Sequence, residues 1–555
     1  MKKFLALFLA LVTVLGLCAC GSKGNGGSSG EQMTADGRMV FNIGVPSNAM
    51  ILDLDDNALT KWMEEQCGVE IHFIEYAGGT DVSTQIASTI AARQELPDIL
   101  WGVSLGSKVV SRYGQDGYFV DLTDYYEDKE GKAKIFWDRL TNELDQQTQD
   151  YILRLMKDPT TDRIYGAPHI ETSLLDKMGY QAWINVEWLD KLNMEKPTST
   201  EELYDFLVAV QKNDCNGNGN TEDEIPLFGS QQGGLGAKVI DWLLNMFVYY
   251  NRNRPYLVDD NGQCSQVFVL DEYREGLQFI NKLFKEGLLN SMAWTASNQE
   301  MKTITTPQSG VALCGIFLGH LTPAVTRESP VLYQYEPLQT WGYAIRNDIS
   351  CALSTFITED CAESKRDKAF EMIMTMFSWE GSMRSRYGEY GVNWTDATPG
   401  AVSPMGLPAT YKLIDDPLSK QNTARWTTMG PAFNDYAEGE TGELADEMTE
   451  WFKHKSMLHA ESHRLFAEAE AKNNPKNKMP LLTWTEQEEE YYAEWAGNVG
   501  DYYLECQNKF CIGTMDINSD SVWQTYLKTL NDLGIEKARE KTQLAYDRAI
   551  EALGK

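Results

Sequence analysis

Three oxygen-bearing side chains at alternate positions, Asp214, Asn216 and Asn218, run directly into Gly219. That order is the first half of a calcium-binding EF-hand loop, with donors at the first, third and fifth positions and a glycine for the sharp turn. The Asn220 carbonyl falls at the seventh position and Glu222 at the ninth, but the twelfth holds Ile225 instead of a glutamate. A bidentate ligand must then come from Glu224, Asp223 or a remote residue. The alternative is an Asn/Gly-rich turn held by its own side chains, with no metal. Bound calcium is expected here as a structural clamp.

Catalytic patterns are scarce. No HExxH occurs; His459 and His463 are spaced i, i+4, but Glu461 between them is not placed as in the metalloprotease motif, and they are expected on an exposed helix face. With 81 acidic residues, carboxylate pairs can always be proposed and carry little information. The Gly229–Gly236 stretch lacks the lysine and hydroxyl of a phosphate loop. Lys and Arg total 49 against those 81, a net charge of −32, which makes nucleic acid a poor partner.

Lys2 and Lys3 precede an apolar run too short to span a bilayer, a secretion signal. Its end, Leu17-Cys18-Ala19-Cys20, resembles the lipobox of bacterial lipoproteins, with Cys20 as the lipidated first mature residue and a Gly/Ser-rich tether behind it. The remaining cysteines show no CxxC pairing; Cys506 and Cys511 are either a short-range disulfide or two buried thiols.

The elements that must position these residues alternate. Val40–Val45, Val69–Tyr76 and Leu96–Trp101 read as strands separated by helices over Asn57–Cys67 and Val82–Arg93, which predicts a parallel sheet with ligands beyond its carboxyl ends. Further strands are predicted at Ile164–Pro168, Tyr180–Asn185, Val311–Phe317 and Trp341–Ile345, a helix at Ala362–Phe377, and a largely helical region over Glu486–Gly554. A sugar site needs aromatic platforms beside planar polar groups. Trp101, Trp341 and Trp394, at strand ends or in loops, are the candidate platforms; Asn48, Asp81, His169, Glu171 and His320 are the candidate hydroxyl partners.

Several segments taken in order resemble the solute-binding lipoproteins of carbohydrate ABC importers, in the long Gram-positive family related to alginate-oligosaccharide binders. They are the lipobox, Glu95-Leu96-Pro97-Asp98-Ile99, Gly117–Thr123, Tyr165-Gly166-Ala167-Pro168, Trp183–Leu192, Asp214–Gly219 with Asp223–Pro226, Tyr387-Gly388 ahead of Tyr390-Gly391-Val392, and Lys509–Gly513. The resemblance implies an α/β fold of two lobes closing on a ligand at a hinge, without chemistry. It divides the chain into a signal peptide (1–19), a lipidated cysteine and tether (20–37), a first lobe (38–168, with part of 345–400 returning to it), a second lobe (169–344, holding loop 214–224), and a mostly helical region completing the second lobe (400–555). The implied partners are a carbohydrate ligand, the permease of an ABC importer and, through the lipid anchor, the outer face of the cytoplasmic membrane. An oligopeptide or other small solute is the runner-up ligand, and an exported glycoside hydrolase the competing reading from another class.

Overall fold

The computed structural model describes residues 33–552 except 78–80, 159, 176, 235, 339, 416–420, 428, 435–439, 481, 483–487 and 489–495. Cys20 and the expected signal and most of the tether lie outside the described residues. The strands in chain order are β1 (Met39–Pro46), β2 (Val69–Tyr76), β3 (Ile99–Trp101), β4 (Ala167–Glu171), β5 (Ala182–Asn185), β6 (Ile225–Phe228), β7 (Tyr256–Val258), β8 (Cys264–Gln266), β9 (Cys314–Leu318), β10 (Tyr335–Pro337), β11 (Ser350–Ile357), β12 (Trp394–Asp396), β13 (Tyr411–Leu413), β14 (Ala432–Asn434) and β15 (Gly442–Leu444).

The first sheet begins as the sequence predicts. Asn57 caps the Ala58–Cys67 helix by accepting from the Leu59 amide (3.1 Å), and Gly68, in the left-handed region at φ 64°, ends it and turns the chain into β2. β2 and β3 then pair parallel to β1 on either side. The complete order is β14-β4-β11-β3-β1-β2, with β11 antiparallel between β3 and β4.

Asp98 ties this sheet to its covering helix. One carboxylate oxygen accepts from the Asn42 amide of β1 (2.8 Å), and the other pairs with Lys365 Nζ (2.7 Å) on the Glu363–Phe377 helix. Both side chains are buried, 5% of Lys365 and 8% of Asp98 remaining exposed.

The second sheet runs β10-β5-β9-β6, and its core includes Trp183, Phe206, Trp242 and Phe317. The predicted helical C-terminus is present as Asp501–Ile512, Asp520–Asp532 and Ile535–Ala552. The first of these packs on the Asp271–Lys285 helix, where Asn281 donates to the last-turn carbonyls of Phe510 and Cys511. Cys506 and Cys511 share that helix as buried free thiols.

Three expectations need correction. Trp341–Ile345 is not a strand; the Asn473 and Asn474 side chains, at the end of the Glu450–Asn473 helix, take up the backbone groups of Trp341, Gly342 and Ala344 that a neighbouring strand would have used. Part of 400–555 belongs elsewhere than expected, because β14 pairs parallel with β4 in the first sheet. His459 is not on an exposed face: it is 2% exposed, packed against Trp183 and His320. Burial holds its pKa well below the usual imidazole range.

Candidate functional site

The chain leaves the first sheet after β4, crosses through 172–181 into β5, and returns through 338–349 into β11. Between the sheets, where these crossings run side by side, lies an open cavity of about 630 Å³. Its walls are His169 and Glu171 from β4, Ser173, Lys177 and Gly179 from the first crossing, and Asn347, Asp348 and Ser350 from the second. Gly233, Gly234, Gly236, Lys238 and Asn253 close it from the second-lobe side. That size suits a small-molecule ligand.

Each wall is held from behind. Buried Glu440 accepts from Ser173 Oγ (2.8 Å) and the Leu175 amide (2.7 Å), fixing the first crossing. On the second, Asp348 pairs with Arg254 (2.5 Å), while burial pushes its carboxyl pKa upward against that guanidinium. His169 donates from Nδ1 to the Gly430 carbonyl (3.0 Å), and burial lowers its pKa, so the ring stays neutral with Nε2 as an acceptor.

Of the residues expected to bind ligand, the structure brings His169 and Glu171 together on this cavity and places the others elsewhere. Trp101 is fully buried, its indole donating to the Met429 carbonyl (3.3 Å) with Trp426 edge-on at 5.6 Å. The 430 backbone passes so close that a Cβ there would sit 1.8 Å from the Trp101 indole nitrogen, which requires Gly430. Trp394 is buried too, donating to the Gly388 carbonyl (2.9 Å). Trp341 is half-buried against the second core.

Asn48 is committed to a turn, accepting from the Met50 amide and donating to Thr427. Asp81 opens the Asp81–Ala91 helix. His320 caps the Leu321–Ala324 helix, with its ring 4.5 Å from that of His459. Among the described residues none lining the cavity is Trp, Tyr or Phe.

Sequence reasoning missed Lys177, Lys238, Asn253, Asn347 and Asp348. Lys177, Asn347 and Asp348 could have been found from their position on the crossings and Lys238 from following the glycine-rich turn, whereas Asn253, in the loop ahead of β7, carries no such signal.

The loop after the Thr200–Lys212 helix is wound around Asp214. Its carboxylate accepts from the amides of Gly217 (2.7 Å), Asn218 (3.1 Å) and Gly219 (2.9 Å). Asn216, Asn218 and Asn220 each accept from the amide two residues on. Gly217 and Gly219 take φ of 76° and 87°, a conformation that disfavours side chains.

Glu224 accepts from the Asn216 amide (3.2 Å) through one oxygen, while the other is buried and without a partner among the described residues. Burial raises its pKa. An orphaned carboxylate oxygen beside a ring of Asp and Asn side chains fits a hard cation such as calcium. The loop enters β6 at its start, whereas the cavity glycines follow its end. The two sites therefore stand at opposite ends of that strand.

None of the protein-family models matches the chain. Over 247 residues it is 26% identical to the fructooligosaccharide ABC transporter substrate-binding protein FusA of Streptococcus pneumoniae serotype 4, covering 44% of this chain and 43% of that relative. In sequence the chain thus spans less than half the length of that relative.

In structure the likeness is broader. FusA in complex with kestose superposes with a TM-score of 0.68 at 18% identity, over 92% of this chain and 100% of that one. An EF-hand mutant of FusA gives 0.67 at 18% identity, with 92% and 100% covered. An HMO-binding solute-binding protein from Bifidobacterium longum infantis gives 0.67 at 19% identity, with 92% and 99% covered. The alginate-binding protein AlgQ2 without calcium ion gives 0.60 at 18%, with 92% and 98% covered. The fold is the two-lobe fold of solute-binding proteins.

Proposed function

We propose that the protein is the extracellular substrate-binding component of an ABC importer, lipid-anchored through Cys20, which captures an oligosaccharide between its lobes and delivers it to a permease without chemical change. The observation that carries this reading is the polar cavity at the two crossings, in a fold it has in common with FusA and the HMO-binding protein. A ligand touching both lobes favours the closed state by its differential affinity, and that state is what a transporter can recognise. Glu171, His169 Nε2 and the Asn253 amide offer the acceptors and donors that sugar hydroxyls need.

A thermal-shift screen against oligosaccharide and oligopeptide libraries tests it. At about 100 times its Kd, a ligand of the folded state adds about 2.7 kcal/mol and should raise Tm by a few degrees. A response to peptides and none to sugars would replace the carbohydrate reading, and a cleaved sugar product would overturn the absence of catalysis.

We also propose that the 214–224 loop holds calcium as a structural clamp, through Asp214, Asn216, Asn218, the Asn220 carbonyl, Glu222 and Glu224. Bound calcium would supply the positive charge that the buried Glu224 oxygen lacks. Chelation is expected to lower Tm, with about 2.7 kcal/mol lost relative to 100-fold saturation. Asp214→Ala and Glu224→Gln should each abolish the calcium-dependent rise. If calcium leaves the Tm of the unmodified protein unchanged, the loop is a turn and nothing more.

A further inference from the structure

The cavity departs from the charge of the chain around it. The protein carries a net charge of −32, yet two lysines, Lys177 and Lys238, line the space between the lobes. Three of the four charged side chains on the lining are occupied. Asp348 is paired with Arg254, Glu171 accepts from the Ser173 amide (3.2 Å), and Lys238 donates to the carbonyls of Gln231 and Gly233.

Lys177 differs. It is half-buried, and among the described residues its ammonium makes no hydrogen bond and no ion pair. An ammonium has three donors, and holding it partly out of water without a partner costs free energy. Burial draws its pKa below the usual lysine value, and Arg346 adds to the effect. Glu440, Glu171 and Asp145 act in the opposite direction from beyond ion-pair distance. Glu440, the first of these, already accepts from Ser173 and Leu175.

A second observation is independent of charge. A neutral sugar is held by flat rings against its apolar faces and by hydroxyl hydrogen bonds. Among the described residues this lining supplies polar groups and close-approaching backbone at Gly179, Gly233, Gly234 and Gly236, and no Trp, Tyr or Phe. Affinity must come from directed polar contacts, among which a charge-assisted one is the strongest available.

Resting on the carbohydrate reading above, we propose that the ligand is an anionic oligosaccharide, its carboxylate or sulfate ester seated on the Lys177 ammonium. Lys177 lies on the crossing between β4 and β5, so the contact that selects the ligand also braces the segment about which the lobes move.

Titration calorimetry of the whole protein tests this with trigalacturonate, its carboxyl-reduced neutral counterpart and a sulfated trisaccharide. At least one acidic trimer is expected to bind about tenfold or more tighter than the neutral one, with the margin shrinking as salt rises. The acidic trimer that keeps the advantage identifies the anionic group. Lys177→Met should remove the preference and Lys177→Arg should keep it, which separates charge from packing.

Neutral binding equal to or tighter than both acidic trimers overturns the inference and leaves the carbohydrate reading standing. A preference that survives in Lys177→Met also overturns it. No binding of any sugar removes both.

Discussion

Lys365→Met is expected to destabilise the protein by about 3–5 kcal/mol, because it strands a carboxylate that the fold has already taken out of water. Asp98 holds the Asn42 amide of β1 with one oxygen and Lys365 with the other, and the Lys365 ammonium also lies 4.6 Å from the Phe41 ring centre. Removing the cation leaves Asp98 facing apolar β1 and the underside of the helix. Reversing the burial of the pair is less costly than breaking it, so Asp98→Asn combined with Lys365→Met should recover part of the loss. Urea unfolding followed by tryptophan fluorescence measures this; a single variant within about 1 kcal/mol of the parent would show that the pair is solvated and the argument mistaken.

Trp101→Ala carries an effect of similar size, about 3–5 kcal/mol, and it falls on stability instead of binding. The ring is fully buried, edge-on to Trp426, with its indole N–H satisfied by Met429, so truncation opens a cavity and orphans a carbonyl together. Thermal melting and calorimetry on the folded fraction separate the outcomes. Tm should fall by many degrees while ligand affinity changes by less than about threefold; a large loss of affinity at unchanged Tm would return Trp101 to the ligand.

Those two residues show what the sequence could and could not reveal. The Leu96-Pro97-Asp98-Ile99 segment was readable as a strand inside a family pattern, but the reason for an aspartate there is a lysine 267 positions later, which no local periodicity exposes. Trp101 was readable as an aromatic at a strand end. Whether that end faces a cleft or a neighbouring loop depends on 426–430, a segment with no strand or helix signal of its own.

The same limit hid β11. Ser350–Ile357 is rich in serine, alanine and threonine, and its burial comes from having β3 on one side and β4 on the other. His169 and Glu171 were found because they follow a predicted strand. Lys177 was not, because an unpaired lysine looks like any surface lysine until its surroundings are known. The calcium-like loop was the most legible feature of all, its donors being local in sequence and its glycines forced by the turn.

The position of β11 governs how this molecule can come into being. Nothing joins β4 to β3 until residues 350–357 slide between them, and the sheet gains its β14 edge only with 432–434. A chain fed out N-terminus first therefore accumulates hundreds of residues of unfinished sheet, with long-range closures still to be made. Such a precursor is exposed to aggregation in that interval, and lasting native structure in the first sheet is postponed until nearly four-fifths of the polypeptide has arrived.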